Sequence, residues 1–333
     1  MGREKILVTG GTGYIGSHTV VELLNLGYTV DIIDNLFNSK ISVLENIKKI
    51  AGKQLQFFQV DLLEREKLDE IFNKNHYDLV IHFAGLKAVG ESVEQPLRYY
   101  KNNINGTVNL LECMKKYNVQ KIIFSSSATV YGEQGVSKLT EEMQTGVGIT
   151  NPYGRTKFMI EEILKDVAIS DKNFSATILR YFNPIGNHAS GLIGEDPNGI
   201  PNNLMPIIMK VAQGKIPTLA VYGDDYPTPD GSGIRDYIHV VDLAKGHIAA
   251  IQKMKPGVQI YNLGTGKGTS VFEMIQAFED ANSKKIPYKV VGRRPGDLAE
   301  IYADASKAEK ELGWKTELTV KDAMRDTVKY LEK

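Results

Sequence analysis

The stretch Ile6-Leu7-Val8-Thr9-Gly10-Gly11-Thr12-Gly13-Tyr14-Ile15-Gly16 decides the fold of this chain of 333 residues. A short apolar run leads into a glycine-rich turn, and a helical pattern begins at once. Glycines let the backbone turn tightly and approach phosphate groups, and the helix supplies unpaired N–H groups and a positive dipole end. The glycines fit either G-x-G-x-x-G from Gly11 or G-x-x-G-x-x-G from Gly10. In this position, between a strand and a helix, either spacing predicts a site for a dinucleotide pyrophosphate.

A carboxylate, Asp34, follows the second predicted strand. There it can accept hydrogen bonds from the 2′-OH and 3′-OH of an adenosine ribose. It would repel a 2′-phosphate, and no arginine stands in the sequence Asp34–Asn38. The sequence therefore favours NAD over NADP as the cofactor. The alternative is that Asp34 caps the next helix.

Composition narrows the classes of function. Lysine plus arginine and aspartate plus glutamate both number 40, so the net charge is zero and a nucleic-acid partner is not expected. The single cysteine, Cys113, lies in an apolar helical pattern, which predicts core packing. With no leader pattern and no long apolar run, we expect a soluble cytoplasmic protein without a membrane partner. No two of the 6 histidines form a ligand pair at helical spacing, so no metal is expected.

Apolar strands alternate with helix-length patterns through the first half of the chain. The predicted strands are Lys5–Thr9, Thr29–Ile33, Leu55–Val60, Leu79–Phe83, Lys121–Ser125 and Ala176–Tyr181. The predicted helices are Tyr14–Leu26, Ile41–Ile50, Arg65–Asn75, Leu97–Tyr117 and Tyr153–Val167. This alternation predicts an α/β fold, a Rossmann-type doubly wound parallel sheet with helices on both faces. Ligands of such a sheet bind at the carboxyl ends of its strands.

The pattern changes after residue 183. Glycine, proline and asparagine are frequent in Asn183–Asn203 and Tyr222–Gly233, which are too long and irregular to be simple connections. We therefore predict that residues 1–183 form the NAD-binding domain, to which later segments return. Residues 184–333 are predicted to form mainly a smaller C-terminal lobe that binds the substrate.

The segment Asn151–Lys157 is the predicted centre of the chemistry. Tyr153 and Lys157 are four residues apart and share one face of a helix. An ammonium lowers the pKa of a nearby phenol by favouring its charged form, and such a phenol can take a proton from a hydroxyl near neutral pH. Tyr117 and Lys121 have the same spacing, but they lie in a connection without a polar loop.

Ser127 closes a strand upstream of that helix, and its hydroxyl could hydrogen-bond the reacting oxygen. The alternative is a turn residue within a run of three serines. The glycine turn, Ser127 and Tyr153-x-x-x-Lys157 together resemble the extended short-chain dehydrogenase/reductases, over nearly the whole chain. The segments with detailed similarity are Gly10–Gly16, His82–Ser92, Phe124–Gly132, Asn151–Lys157, Arg180–Gly186, Gly199–Pro206, Tyr222–His239 and Arg293–Leu298.

Within that family the chain is most similar to enzymes that invert C4 of UDP-hexoses. The resemblance implies reversible C4 epimerisation of UDP-glucose and UDP-galactose by transient hydride transfer to tightly bound NAD, through a 4-keto intermediate. It also implies a homodimer, for which the helical patterns Leu97–Tyr117 and Tyr153–Val167 could form a two-fold interface.

The resemblance also implies roles for individual residues. On the cofactor side these are Gly10, Gly13, Tyr14, Ile15, Gly16, Asp34, Asn35, Asn38, Ser39, Asp61, Leu62, Phe83, Ala84, Gly85, Lys87, Asn102, Ser125 and Phe182, together with the catalytic residues Tyr153 and Lys157. On the substrate side they are Asn183, Asn203, Arg235, Arg294 and Asp297 for the UDP group, with Ser127 and Tyr153 at the sugar and Ile301 beside it.

The roles of the arginines and of Ile301 on the substrate side can be argued further. Guanidinium groups match phosphate oxygens, which supports the arginines, although Arg235 could instead form a surface ion pair with Asp236. Ile301 stands where the family carries either tyrosine or a smaller residue. Since smaller residues accompany acceptance of N-acetylated sugars, activity on UDP-N-acetylhexosamines is expected as well.

Two other functions are alternatives on the same fold. Nucleotide-sugar 4,6-dehydratases follow the serine with an Asp-Glu pair, whereas here Ser127 is followed by Ala128-Thr129-Val130, which argues against dehydration. A catalytically silent NAD-binding regulatory protein would not need Tyr153, Lys157 and Ser127 together.

Overall fold

The computed structural model describes residues 4–198, 203–294 and 297–333. The strands are β1 (Lys5–Thr9), β2 (Thr29–Asp34), β3 (Gln56–Gln59), β4 (Leu79–His82), β5 (Lys121–Ser127), β6 (Lys138–Leu139), β7 (Ser175–Tyr181), β8 (Asn183–Ile185), β9 (Leu219–Tyr222), β10 (Ile234–Arg235), β11 (Tyr237–His239), β12 (Gly257–Leu263), β13 (Thr269–Ser270), β14 (Tyr288–Val291) and β15 (Glu300–Ala303). The helices are α1 (Tyr14–Asn25), α2 (Ser42–Ala51), α3 (Arg65–Lys74), α4 (Val89–Glu94), α5 (Pro96–Tyr99), α6 (Gly106–Lys116), α7 (Pro152–Ser170), α8 (Leu204–Ala212), α9 (Val240–Gln252), α10 (Val271–Asn282), α11 (Ser306–Leu312) and α12 (Val320–Leu331).

The predicted doubly wound parallel sheet is confirmed. Seven strands pair in the order β12-β7-β5-β4-β1-β2-β3, and every neighbouring pair is parallel. The order reverses between β1 and β4, which is where a sheet of this kind binds its ligand. The last strand of the sheet, β12, comes from far beyond residue 183.

The sheet is buried on both faces because its strands are apolar on both. Ile6 and Val8 of β1 pack in one hydrophobic cluster, whereas Leu7 between them packs in the cluster on the opposite face. Side chains alternate across a strand, so a continuous apolar run requires cover on both sides. Helices α1 and α9 contact each other in the first cover layer, and α3 contacts α6 in the second.

One predicted helix is interrupted. The pattern Leu97–Tyr117 predicted a single helix, but a π-helix, Tyr100–Asn105, separates α5 from α6. The side chain of Asn103, buried in this π-helix, accepts a hydrogen bond from the N–H of Leu86 at 2.8 Å and donates to Thr156 Oγ1 at 3.0 Å. A wider turn re-aims the side chains it carries, and π-helical turns are frequent at functional sites.

A second hydrophobic core lies beside the main sheet. It contains Met205 and Ile208 of α8, Phe278 of α10 and Met324 of α12, packed against the two-stranded sheet of β9 and β14. The division at residue 183 into a cofactor-binding and a substrate-binding part remains a prediction. Within the described ranges, none of the helices is long and apolar enough to cross a membrane.

Candidate active site

The glycine-rich turn between β1 and α1 lies against the end of β4. Gly10 has a φ of 71°, and a Cβ there would lie 2.7 Å from the amide nitrogen of Ala84. At Gly16 a Cβ would lie 2.3 Å from the carbonyl oxygen of Gly10. Helix α1 begins at Tyr14, and Gly13 before it supplies no side-chain cap, so the first N–H groups of the helix can bind a ligand. This turn therefore fits a dinucleotide pyrophosphate.

The Asp34 carboxylate faces that turn. It accepts hydrogen bonds from the N–H of Thr12 at 3.1 Å, the N–H of Leu36 at 2.9 Å and the hydroxyl of Ser39 at 3.3 Å. Helix α2 begins after Ile41, so the alternative reading of Asp34 as a helix cap is wrong. A carboxylate held at this edge fits ribose hydroxyls. Thr12 was not among the predicted residues, although it lies inside the glycine stretch.

Three more of the predicted cofactor residues also meet at this edge. Asn35 donates from Nδ2 to Asp61 Oδ2 at 2.8 Å, and the carbonyl of Leu62 accepts from Asn109 Nδ2 at 2.8 Å. Leu62 itself is buried. The structure thus places Asn35, Asp61 and Leu62 beside one another at the ends of β2 and β3.

Residues 187–198, which we call the covering loop, reach across from the second half of the chain. The N–H of Asn198 donates to Asn38 Oδ1 at 3.0 Å, and Asp196 forms an ion pair with Lys40. Further along, Lys87 pairs with the buried Glu195 at 3.2 Å. The loop therefore contacts the predicted cofactor residues Asn38 and Lys87. Sequence reasoning missed Glu195, because no local pattern marks it.

Two more predicted residues lie around the covering loop. Asn203 donates from Nδ2 to Glu195 Oε1 at 3.1 Å, and the hydroxyl of Tyr14 donates to the carbonyl of Gly186 at 2.5 Å. Burial raises the pKa of Tyr14, and the negative charge of Glu195 acts in the same direction. Tyr14 is therefore a neutral donor that joins α1 to the second half of the chain.

Helix α7 carries the predicted catalytic pair. Asn151 caps its start by accepting a hydrogen bond from the N–H of Gly154 at 2.8 Å. Lys157 is buried, and its Nζ donates to the carbonyl oxygen of Ser125 at 2.6 Å. The same Nζ lies 5.9 Å from the centre of the Tyr153 ring. The two side chains share one helix face, against the end of β5.

Ser127 ends β5 and has the turn role that was the alternative for it, while its role at the reacting oxygen stays a prediction. Its Oγ caps a 3-10 helix, Ala128–Tyr131, by accepting from the N–H of Thr129 at 3.2 Å. Its hydroxyl also lies close enough to the phenol of Tyr153 to favour a lower pKa of that phenol. The structure therefore brings Ser127, Tyr153 and Lys157 together.

Burial sets the pKa values of this pair. It raises the pKa of Tyr153, and the hydroxyl of Ser127 only partly opposes that rise. Burial also lowers the pKa of Lys157 to about 8, against the charge of Glu161. The predicted lowering of the phenol pKa by the ammonium of Lys157 therefore has to act against burial, and it stays a prediction.

Other predicted cofactor residues follow the ends of β4 and β7 or lie in the π-helix. The ring of Phe83 lies 4.9 Å from that of His247, and Phe182 is buried. Asn102 donates from Nδ2 to Asn103 Oδ1 at 2.9 Å. Asn103, which sequence reasoning missed, is the residue that fixes the π-helix here. The polar run around it, inside an otherwise apolar helical pattern, was the available signal.

The predicted UDP-binding residues lie around β10 and β15. Arg235 is paired in register with Ile301 and forms an ion pair with Asp297, whose N–H donates to the carbonyl of Arg294 at 3.1 Å. The Arg294 guanidinium lies 3.8 Å from the centre of the Tyr222 ring. Asn183 starts β8, and its side chain is exposed. The structure therefore brings Arg235, Arg294, Asp297 and Ile301 together.

The alternative of a surface ion pair between Arg235 and Asp236 is wrong. Asp236 is buried and accepts hydrogen bonds from the N–H groups of Thr265 at 2.8 Å, Gly266 at 3.0 Å and Ala303 at 3.1 Å. The glycine-rich loop after β12 therefore encloses a carboxylate of the chain itself. Successive N–H groups in such a loop form an anion-binding concavity.

The described residues include no group of three or more histidine, cysteine, aspartate or glutamate side chains placed to hold a metal ion. Cys113 is buried, and Arg65 Nη1 donates to its sulfur at 2.8 Å. Burial raises the pKa of its thiol to about 11, which agrees with the predicted packing role.

Comparison with known proteins places the chain in a family. A family profile described as GDP-mannose 4,6 dehydratase matches residues 7–327. The chain is 56% identical over 327 residues to UDP-glucose 4-epimerase of Bacillus subtilis, covering 98% of this chain and 96% of the relative. It is 57% identical over 324 residues to UDP-glucose 4-epimerase of Haemophilus influenzae, with coverage of 97% and 96%.

Solved structures of UDP-glucose 4-epimerases are also similar to this chain. UDP-glucose 4-epimerase from Bifidobacterium longum, in complex with NAD+ and UDP, superposes with a TM-score of 0.95 at 55% identity, covering 98% of each chain. The UDP-Glc/GlcNAc 4-epimerase from Campylobacter jejuni has a TM-score of 0.86 at 33% identity and covers 99% of each chain. The fold, the arrangement at the sheet edge and these similarities together show that the chain belongs to the UDP-glucose 4-epimerase family.

Proposed function

We propose that this chain interconverts UDP-glucose and UDP-galactose by inverting C4, with NAD as its resident cofactor. The observation that carries the proposal is the meeting of Tyr153, Ser127 and Lys157 at the sheet edge, beside a turn that fits a dinucleotide. Relatives that are 54–57% identical over nearly the whole chain are UDP-glucose 4-epimerases. The match to the enzyme from Bifidobacterium longum, which holds NAD+ and UDP, supports both ligands.

Residues of the chain perform the proton transfer. Tyr153, as phenolate, takes the proton of the sugar 4-OH, and the Ser127 hydroxyl hydrogen-bonds the same oxygen. Lys157, when protonated, favours the phenolate against the effect of burial. NAD, when bound, supplies a hydride acceptor for C4 and a positive ring that also favours the phenolate. The 4-keto sugar then takes its hydrogen back on the other face, and Tyr153 returns the proton.

We assign the cofactor side to the glycine turn, Asp34 and the surrounding predicted residues, mainly within residues 1–183. The UDP side lies mainly within residues 184–333. We assign Arg235 and Arg294 to the diphosphate, because guanidinium groups match phosphate oxygens, and Asp297 to the uridine ribose hydroxyls. A nucleotide anchored by its diphosphate leaves the hexose free to present either face of C4.

The alternatives are not favoured. The three residues after Ser127, Ala128-Thr129-Val130, form a 3-10 helix without a carboxylate, so the acid pair that dehydration needs is missing at that place. The family profile carries the name of a dehydratase, but the closely similar relatives are epimerases. A silent binding protein would have no use for a phenol, a hydroxyl and an ammonium held together.

Replacing Tyr153 with phenylalanine tests the proton transfer. We expect Tyr153→Phe to lower kcat by about 10²–10⁴-fold, because the base is removed while the UDP-binding residues stay intact. The measurement is conversion of UDP-galactose to UDP-glucose without added NAD, with UDP binding measured by calorimetry as the control. Unchanged turnover in Tyr153→Phe would contradict the role of the phenol. A 4-keto-6-deoxy product of the unmodified protein would instead favour dehydration.

Ile301 is proposed to set the substrate range. It is partly buried and packs against the hydrophobic cluster that contains Val130, Tyr131 and Phe182. An isoleucine leaves more room than a tyrosine, so we propose that UDP-N-acetylglucosamine is also epimerised. Ile301→Tyr should lower kcat/KM for this sugar by at least about 10-fold and change that for UDP-galactose less. Failure of the unmodified protein to turn over the N-acetylated sugar would contradict this proposal.

We also propose that the protein is a cytoplasmic homodimer. On α4, α5 and α7 the side chains of Val93, Leu97 and Met159 are exposed by 59%, 81% and 41%, which gives these adjoining helices an apolar surface. The unpaired Cys113 suits a reducing compartment. Sedimentation should give twice the chain mass of 37.0 kDa, and Leu97→Glu should reduce it to one chain. A monomer at micromolar concentration would contradict the dimer.

A further inference from the structure

A buried ion pair joins α7 to β7 close to the proposed site. Arg180 donates from Nη2 to Glu161 Oε2 at 2.7 Å and from Nε to Oε1 at 3.1 Å. The side chains are 2% and 0% exposed. Charges in a protein interior are costly unless they are paired and fully hydrogen-bonded. The proton transfer described above gives this pair no part.

Glu161 belongs to the helix face that carries the proposed catalytic pair. It lies four residues after Lys157 and eight after Tyr153, so the three side chains follow one another along α7. The hydroxyl of Ser126 donates to Glu161 Oε1 at 2.5 Å. Ser126 stands in β5 between the carbonyl that receives Lys157 and the hydroxyl of Ser127. Glu161 therefore joins α7 to the strand that supplies Ser127.

Arg180 reaches the other side of the site. Its Nη1 donates to the hydroxyl of Tyr131 at 3.0 Å, and its Cζ lies 4.7 Å from the centre of that ring. The Tyr131 hydroxyl donates in turn to Asn262 Oδ1 at 2.7 Å. Tyr131 ends the 3-10 helix that Ser127 caps. One guanidinium thus contacts both the helix of Tyr153 and the turn of Ser127.

The charge of Glu161 also acts on Lys157. Burial lowers the pKa of Lys157 to about 8, and the negative charge of Glu161 opposes that shift. Other ionisable groups around Lys157 include Tyr153 on α7, His82 of β4 and, through its ion pair with Glu161, Arg180 of β7. Burial lowers the pKa of His82 to about 3, so its imidazole is neutral and adds no charge beside Lys157.

We propose that the Glu161–Arg180 pair is a positioning element of the active site. Glu161 keeps the amine of Lys157 protonated, and Arg180 fixes the helix of Tyr153 relative to the turn of Ser127. The inference rests on the proposed function, because it concerns the charge state that epimerisation needs.

Removing the charge of Glu161 while keeping its shape tests the first half of this proposal. In Glu161→Gln the ammonium of Lys157 loses its supporting charge. The alkaline limb of the pH profile of kcat should move to lower pH by at least about half a unit. The phenolate of Tyr153, measured by its ultraviolet absorbance against the same protein carrying Tyr153→Phe, should form at higher pH. A purely structural pair would lower the Tm and move neither.

A double variant keeps the proposal testable if Glu161→Gln alone fails to fold. Glu161→Gln with Arg180→Met removes both charges and leaves no buried ion unpaired, so it should fold. It should show both shifts in the same direction but smaller, because the positive charge of Arg180 is removed together with the negative charge of Glu161. Arg180→Lys keeps the positive charge but not the paired hydrogen bonds, so it should lower kcat with little change in the pH limbs.

A matched control lies elsewhere in the sheet. Asp31 is a buried carboxylate that pairs with Lys5 at 2.8 Å and accepts from Tyr77 at 2.9 Å. Asp31→Asn should lower the Tm without moving either titration. If Glu161→Gln behaves like Asp31→Asn, the inference is overturned. If the unmodified protein lacks epimerase activity, the proposed function fails, whereas the titration of Tyr153 still decides the inference.

Discussion

The packing of α7 against the end of β5 is the constraint on which the site depends. It buries Lys157, seats its Nζ at 2.6 Å from the Ser125 carbonyl and brings Tyr153 beside Ser127. Burial opposes charge on both members of the pair, since it raises the pKa of the phenol and lowers that of the amine. A charged pair here depends on the charges around it, and the buried carboxylate of Glu161, one helical turn further along, opposes the effect of burial on Lys157.

The parts of the fold and site that follow from local chemistry could be predicted from the sequence. The glycines at positions 10, 13 and 16 serve one turn, and their spacing alone indicates it. The relation of Tyr153 to Lys157 follows from the helical repeat. Asp34 follows from its place at the end of a strand, and parallel strands bring such ends to one edge of the sheet. These features can be predicted without knowing which distant residues are in contact.

The parts that depend on distant contacts could not be predicted. Asn103 turns a predicted regular helix into a π-helix because its amide is satisfied by Leu86 and Thr156, which are far away in sequence. Asp236 is enclosed by a loop thirty residues later, so its neighbour in sequence, Arg235, pairs with Asp297 instead. A polar side chain can be buried only where it has hydrogen-bond partners, and a single sequence does not show which distant residues those partners are.

In the proposed epimerisation, the hydrogen removed from C4 returns to C4 of the same molecule. UDP-galactose carrying deuterium at C4, converted in ordinary water, tests this directly by mass spectrometry and NMR of the product. We expect UDP-glucose with deuterium retained at C4 and no solvent hydrogen at C4 or C5. Loss of the label to water, or exchange at C5, would contradict it.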